Sequence, residues 1–206
     1  MGSSTSIATL QGSIASVTSS AASVTAAIAA NSGASGQTFT LTTAVDMLTG
    51  TSGDDTFVAS QAHHNATLTG AAGSDKFLFV GNDLGNMLMT SGGTRAVVSI
   101  TDFVAGTDKI ALVVSGSPFA SMVLDSAQSM RSADGLIDVY SGITAIAPSV
   151  ANRSASGVVV TVSGGAAAGT YLYVNDGAAA VSSDNDMLIN ITGIRGGLAD
   201  TDFVFA

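Results

Sequence analysis

Two stretches of this chain repeat one another residue by residue, and what they share restricts the backbone more than any other feature of the sequence. Leu48-Thr49-Gly50-Thr51-Ser52-Gly53-Asp54-Asp55-Thr56-Phe57-Val58 aligns with Leu68-Thr69-Gly70-Ala71-Ala72-Gly73-Ser74-Asp75-Lys76-Phe77-Leu78. Both read L-T-G-x-x-G-x-D-x-F-aliphatic. Glycine is the residue that permits positive φ and close approach of another backbone, so each stretch is read as a turn followed by a very short strand. Asp55 and Asp75 each end a turn with a carboxylate, and Phe57 and Phe77 point into a narrow core. The pattern is the glycine-rich nonapeptide of parallel coiled β structures, with a small residue in place of its second glycine.

The two copies lie 20 residues apart, in near register with two nonapeptides. Turns so spaced stack on one side of a parallel coil. The surplus is expected to loop out through Ala59 to Ala66, which includes His63-His64. Stacking brings together hard oxygen donors from Gly50, Ser52, Gly53, Asp54 and Asp55 with those of Gly70, Ala72, Gly73 and Asp75. Such a set suits a hard divalent cation. The alternative is a pair of Gly/Asp turns that hold no metal.

Composition narrows the chemistry. All fifteen acidic residues are aspartate, the formal net charge is −9, and the six basic residues are scattered. Nucleic acid is therefore excluded as a partner, because phosphate binding needs clustered Lys and Arg. Absent cysteine excludes disulfides and thiolate metal sites. Absent glutamate excludes the H-E-x-x-H metalloprotease motif, and no G-x-S-x-G or P-loop is present, so no enzyme is expected. His63 and His64 are adjacent, which on a strand points them to opposite faces and makes them poor joint ligands. No apolar run reaches the roughly 20 residues of a transmembrane helix.

Residues 1–45 carry no charge. Within them Ile7, Leu10, Ile14, Val17, Ala21, Val24 and Ile28 recur at spacings of three and four, the seam of a helix that needs a partner. A helix is expected over 4–31, ending at Asn31-Ser32-Gly33; a disordered Ser/Ala-rich leader and an aggregation-prone strand are the other readings. The boundary falls in the Gly/Ser stretch 32–37, giving an N-terminal assembly segment over 1–35 and a β domain over 36–206. Strands are expected at Phe39–Thr42, Thr56–Val58, Lys76–Val80, Val97–Ile100, Ile110–Val114, Val158–Val162, Thr170–Val174 and Met187–Ile191, each bounded by turn residues. Helical spacing at Phe119, Met122 and Val123 after Pro118 predicts one short helix within 118–131.

The repeats, with Thr38-Phe39-Thr40-Leu41 before them, resemble the entry segment of RTX (repeats-in-toxin) modules in secreted and surface-layer proteins. Ile100-Thr101-Asp102-Phe103-Val104-Ala105-Gly106-Thr107-Asp108-Lys109-Ile110 is similar to the element that closes the β-roll in serralysin-type secreted proteins. Thr170 to Gly177, Met187 to Gly193 and Leu198 to Phe203 resemble their final pattern. The resemblance implies a short calcium-binding parallel β-roll running into a β-sandwich-like C-terminal part, with Asp102 and Asp108 added to the Ca2+ residues. It also implies export by type I secretion machinery through an uncleaved C-terminal signal, here Asp202, Phe203, Val204 and Phe205. The N-terminus lacks the charged and apolar regions of a signal peptide, which agrees. The expectation is a secreted, calcium-dependent structural protein that assembles with itself through Ile7, Leu10, Ile14, Val17, Val24 and Ile28. The rival is a monomeric calcium-binding adhesin or carbohydrate-binding module, and cell-envelope polysaccharide is a further candidate partner.

Overall fold

The computed structural model describes residues 35–42, 45–60, 65–81, 97–114, 123–133, 136–147, 156–175 and 186–205. The helix expected over 4–31 and the pair His63-His64 lie outside these residues.

The fold is mainly β, built on two sheets that the chain visits in alternation. Strands β1 (Thr38–Thr40), β3 (Thr56–Ser60), β5 (Lys76–Gly81), β7 (Lys109–Val114) and β13 (Phe203–Phe205) form a five-stranded sheet in that order. All its neighbours are parallel. Strands β2 (Met47–Thr49), β4 (Ala66–Thr69) and β6 (Val98–Ile100) lie parallel in the second sheet. That sheet continues through β12 (Met187–Asn190), β11 (Gly169–Asn175), β10 (Ser156–Val162) and β8 (Val123–Leu124), and β9 (Gln128–Met130) also pairs with β10.

Each winding of the chain is therefore strand, turn, strand. The Leu-Thr pair that precedes each glycine is not a lead-in to the turn: Leu48-Thr49 lies in β2 and Leu68-Thr69 in β4. Of the stretch expected to loop out, Ala59 and Ser60 lie in β3 and Ala66 opens β4, while 61–64 lie outside the described residues. Parallel register places Phe39, Phe57, Phe77, Ile110 and Phe203 in one column. The first three rings stack with centroids 5.0 and 5.1 Å apart, and Phe103 packs beside Phe77. Inward alternation is what permits this, since residues two apart on a strand face the same way.

A second core lies under the antiparallel pair β10–β11, where Val158, Val160, Val162, Tyr171 and Tyr173 meet Val139 and Ile143. Those last two residues sit four apart on helix α1 (Leu136–Ile146) and so share one face. The α-helix of the described residues thus lies beyond the stretch 118–131 expected to be helical. Residues 123–124 and 128–130, inside the expected helix, are strands held in parallel register against β10. Main-chain pairing to a long buried strand overrides the local helical spacing there. Among the described residues no helix is long and apolar enough to cross a membrane.

Candidate cation site

The turns stack as the strands do, and their aspartates form a column along one side of the coil. Asp55, Asp75 and Asp108 are each almost wholly buried. Each carboxylate takes the main-chain N–H of its counterpart one winding earlier. Gln37 N donates to Asp55 Oδ1 at 2.7 Å, Asp55 N to Asp75 Oδ1 at 2.9 Å and Asp75 N to Asp108 Oδ1 at 3.0 Å. The windings they span are 18, 20 and 33 residues long, so a short sequence repeat and a long one give the same contact.

Further aspartates tie the turns from outside the column. Ser74 N donates to Asp54 Oδ1 at 2.7 Å. The N–H groups of Gly70 and Ala71 donate to the two oxygens of Asp102 at 2.8 Å each. The glycines let the turns pack: a Cβ on Gly50 would collide with Asp55 Oδ2 and Gly70 O, and one on Gly73 would lie 2.6 Å from Gly53 O. Gly73 also has φ of +125°, which L side chains rarely adopt.

The two turns differ in how their aspartate is satisfied. Asp55 is saturated: besides Gln37 N it accepts from Thr51 N at 2.5 Å and from Thr51 Oγ1 at 3.0 Å. The residue matching Thr51 in the second turn is Ala71, which has no hydroxyl and whose N–H is already given to Asp102. Asp75 therefore keeps only the Asp55 N–H, and among the described residues no donor reaches its Oδ2. Asp108 is filled on both oxygens, by Asp75 N and by Val104 N at 2.8 Å. Burial pushes the Asp75 carboxyl up to about 6, against the Asp55 N–H that favours the charged form; Asp108, Asp55 and Asp102 nearby raise it further. No lysine or arginine among the described residues pairs with Asp55, Asp75 or Asp108.

Asp75 is the place where a cation fits. It has an unfilled oxygen, three anionic neighbours and a donor set made of oxygen alone, which favours a hard ion over a transition metal. The fit does not extend to Asp55, whose carboxylate is already occupied. Nor do three or more carboxylate or imidazole groups converge on one point among the described residues. Of the residues named from sequence, Ser52, Asp54, Ala72 and Gly73 are exposed to solvent.

Sequence reading placed Asp202 in a secretion signal. In the fold it ends a 3-10 turn (Asp200–Asp202) at the far end of the coil and is 1% exposed. Its oxygens accept from Gly106 N at 2.8 Å and Ala199 N at 2.9 Å, and Lys109 Nζ lies 3.6 Å away. Phe203, Val204 and Phe205 form β13, so the C-terminal segment is part of the first sheet. Thr51 and Gln37 were not singled out from sequence. The signal for Thr51 was its place in the first repeat where the second has alanine.

No family model, curated protein or solved structure matches the chain.

Proposed function

We propose that this protein is a secreted, calcium-dependent structural protein: a short β-roll that folds outside the cell and assembles with itself into a filament or surface layer. The observation that carries the reading is the buried aspartate column with an unfilled oxygen at Asp75. Winding between the parallel strands of two sheets supports the β-roll reading, since it stacks these turns.

Asp75 would hold the ion through its unfilled oxygen, and the charges of Asp55, Asp102 and Asp108 nearby would add attraction without an open ligand. Bound calcium supplies the positive charge that this column otherwise lacks. The chain's own residues do the rest. Gly50 and Gly73 let successive turns approach, Gly70 makes room for the Asp75 carboxylate, and the main-chain N–H groups of Gln37, Asp55 and Asp75 fix the carboxylates in line. Because the turns assemble only on folding, binding free energy adds to folding free energy. Scarce calcium in the cytosol leaves the aspartates repelling one another and the chain open for export through type I machinery. Millimolar calcium outside closes the coil.

The uncharged segment 1–35, with the seam Ile7, Leu10, Ile14, Val17, Val24 and Ile28, is assigned to assembly. Light scattering with and without calcium tests this. The full chain is expected to polymerise in calcium, and the chain lacking residues 1–35 to stay monomeric while still folding. Polymers of the same form from the truncated chain would place the contact in the β body.

One observation favours the rival reading of a carbohydrate-binding or adhesin module. A cleft of about 320 Å³ opens beside β10 and β11, lined by Asp125, Val159, Thr161, Thr170, Ile194 and Leu198 among others. A calcium-bound monomer that binds an envelope polysaccharide in a pull-down would select it.

A further inference from the structure

The second sheet outruns the first. Past β12 it continues through β11, β10 and β8, whereas the first sheet ends at β13. Among the described residues no strand of the first sheet lies beyond β13 to cover the side of β10 that faces the first core. That side carries Val159, which packs on the first core, and Thr161; Val158, Val160 and Val162 point the other way into the second core. Thr170 stands directly across from Thr161 in the antiparallel register, so the two hydroxyl side chains share a face.

The segment after β12 crosses here instead. Ile194 and Leu198 pack against the first core. Arg195 N donates to Phe103 O at 2.8 Å, Ala105 N to Arg195 O at 2.9 Å, and Leu124 N to Asp200 Oδ1 at 3.0 Å. This cover is anchored at both ends yet incomplete, and the space it leaves is the cleft beside β10 and β11. Asp125 lines the cleft half-buried, with its N–H fixed to Gly157 O at 2.9 Å and its Oδ1 accepting from Ser126 N at 2.8 Å. Gly197 adds bare main chain, since a Cβ there would meet nothing within 4 Å.

The lining has two characters. Val159, Ile194 and Leu198 give an apolar surface, while Asp125, Thr161 and Thr170 give one carboxylate and two hydroxyls. A wholly apolar ligand would strip water from Asp125 without replacing its hydrogen bonds. An anion is repelled by that carboxylate and by a chain of net charge −9. A cationic amine satisfies Asp125 but leaves the hydroxyl pair unused. A ring with C–H groups on its face and hydroxyls around its edge meets both parts of the lining, and a carboxylate can accept more than the Ser126 N–H. At about 320 Å³ the cleft lies at the lower end of small-molecule sites, which suits a single sugar unit.

We propose that this cleft binds one unit of a neutral sugar. Asp125 accepts from its hydroxyls, Thr161 and Thr170 bond its edge, and Val159, Ile194 and Leu198 pack on its C–H face. The proposal rests on the second reading given above and names the site for it; calcium-dependent assembly needs no ligand there.

Saturation-transfer NMR on the full chain in calcium tests it, with glucose, galactose, mannose and N-acetylglucosamine as probes and glucuronate and lysine as charged comparators. Transfer to at least one neutral sugar and none to glucuronate is expected. Asp125→Ala should weaken binding roughly tenfold or more, as loss of a hydrogen bond to a charged group implies. Thr161→Trp fills the cleft from an exposed position and should abolish the signal, with circular dichroism confirming the fold of each variant. No transfer to any neutral sugar, transfer unchanged in Thr161→Trp, or binding of lysine alone would overturn the proposal. Capture of envelope polysaccharide that Thr161→Trp leaves intact would remove this site while keeping the adhesin reading.

Discussion

The turn at Gly50–Asp55 and the turn at Gly70–Asp75 carry the same glycines and end in the same buried carboxylate, yet one is closed and the other is not. In the first, Thr51 gives both its N–H and its hydroxyl to Asp55. In the second, Ala71 gives its N–H to Asp102 of the following winding and has no hydroxyl to offer. Asp75 is left with one donor and a raised pKa, beside three other aspartates. The two carboxylates thus differ in what satisfies them: Asp55 closes its turn on Thr51, and Asp75 keeps one donor because Ala71 lacks a hydroxyl and gives its N–H to Asp102. Repetition in sequence does not mean repetition of role.

The sharpest way to break this contrast is to remove each carboxylate in turn. Asp55→Ala strands the N–H groups of Gln37 and Thr51, and each buried unpaired donor costs about 1–3 kcal/mol. A loss of about 3 kcal/mol is expected, with or without calcium, read by urea denaturation. If the loss vanishes in chelator, Asp55 is a cation ligand and not a turn-closing acceptor.

Asp75 should behave with the opposite sign when calcium is absent. Its folded pKa, about 6, lies above the ordinary 3.8, so the folded state binds its proton more tightly than the unfolded chain. The resulting stability is present in full below about 3.8 and is lost as pH rises through about 6. In chelator, wild type should lose stability relative to Asp75→Asn between those values. Parallel pH profiles for the two proteins would show that Asp75 titrates normally.

Smaller effects refine the comparison. Thr51→Ala gives the first turn the second turn's side chain and removes a hydroxyl bond to a buried carboxylate, which should cost about 1 kcal/mol. Ala71 holds φ of +75° where the nonapeptide pattern has its second glycine. Left-handed backbone costs alanine about 1–2 kcal/mol, part of which glycine loses again to unfolded-chain entropy. Ala71→Gly should therefore raise the melting temperature by only a few degrees. A fall would mean that the alanine methyl makes a packing contact worth more than the strain.

Much of the coil was legible because its determinants are local. The glycines, the aspartates and the phenylalanine column follow from an eleven-residue pattern, and strands such as Val158–Val162 and Thr170–Val174 are β-branched and aromatic runs. Strands β2 and β4 were not, since three or four residues are too few to show alternation and their pairing comes from stacking alone. Helix α1 escaped because Val139, Ile143 and Ile146 are poor helix formers, held by the β10–β11 core instead. Spacing after Pro118 pointed to a helix where pairing to β10 imposes strands. At the site, sequence supplied Asp55 and Asp75 as equals. Their inequality depends also on Asp102, which comes from the next winding 31 residues along and takes Ala71's N–H, and no pattern of spacing displays that.

The function proposed above turns on Asp75 needing a calcium ion that Asp55 does not. Thermal unfolding followed by circular dichroism, across a calcium titration of wild type and Asp75→Asn, tests it most directly. The melting temperature of wild type should climb steadily with calcium and fall back in chelator, while that of Asp75→Asn stays flat. A wild type indifferent to calcium, or an Asp75→Asn protein that responds as wild type does, would contradict the account.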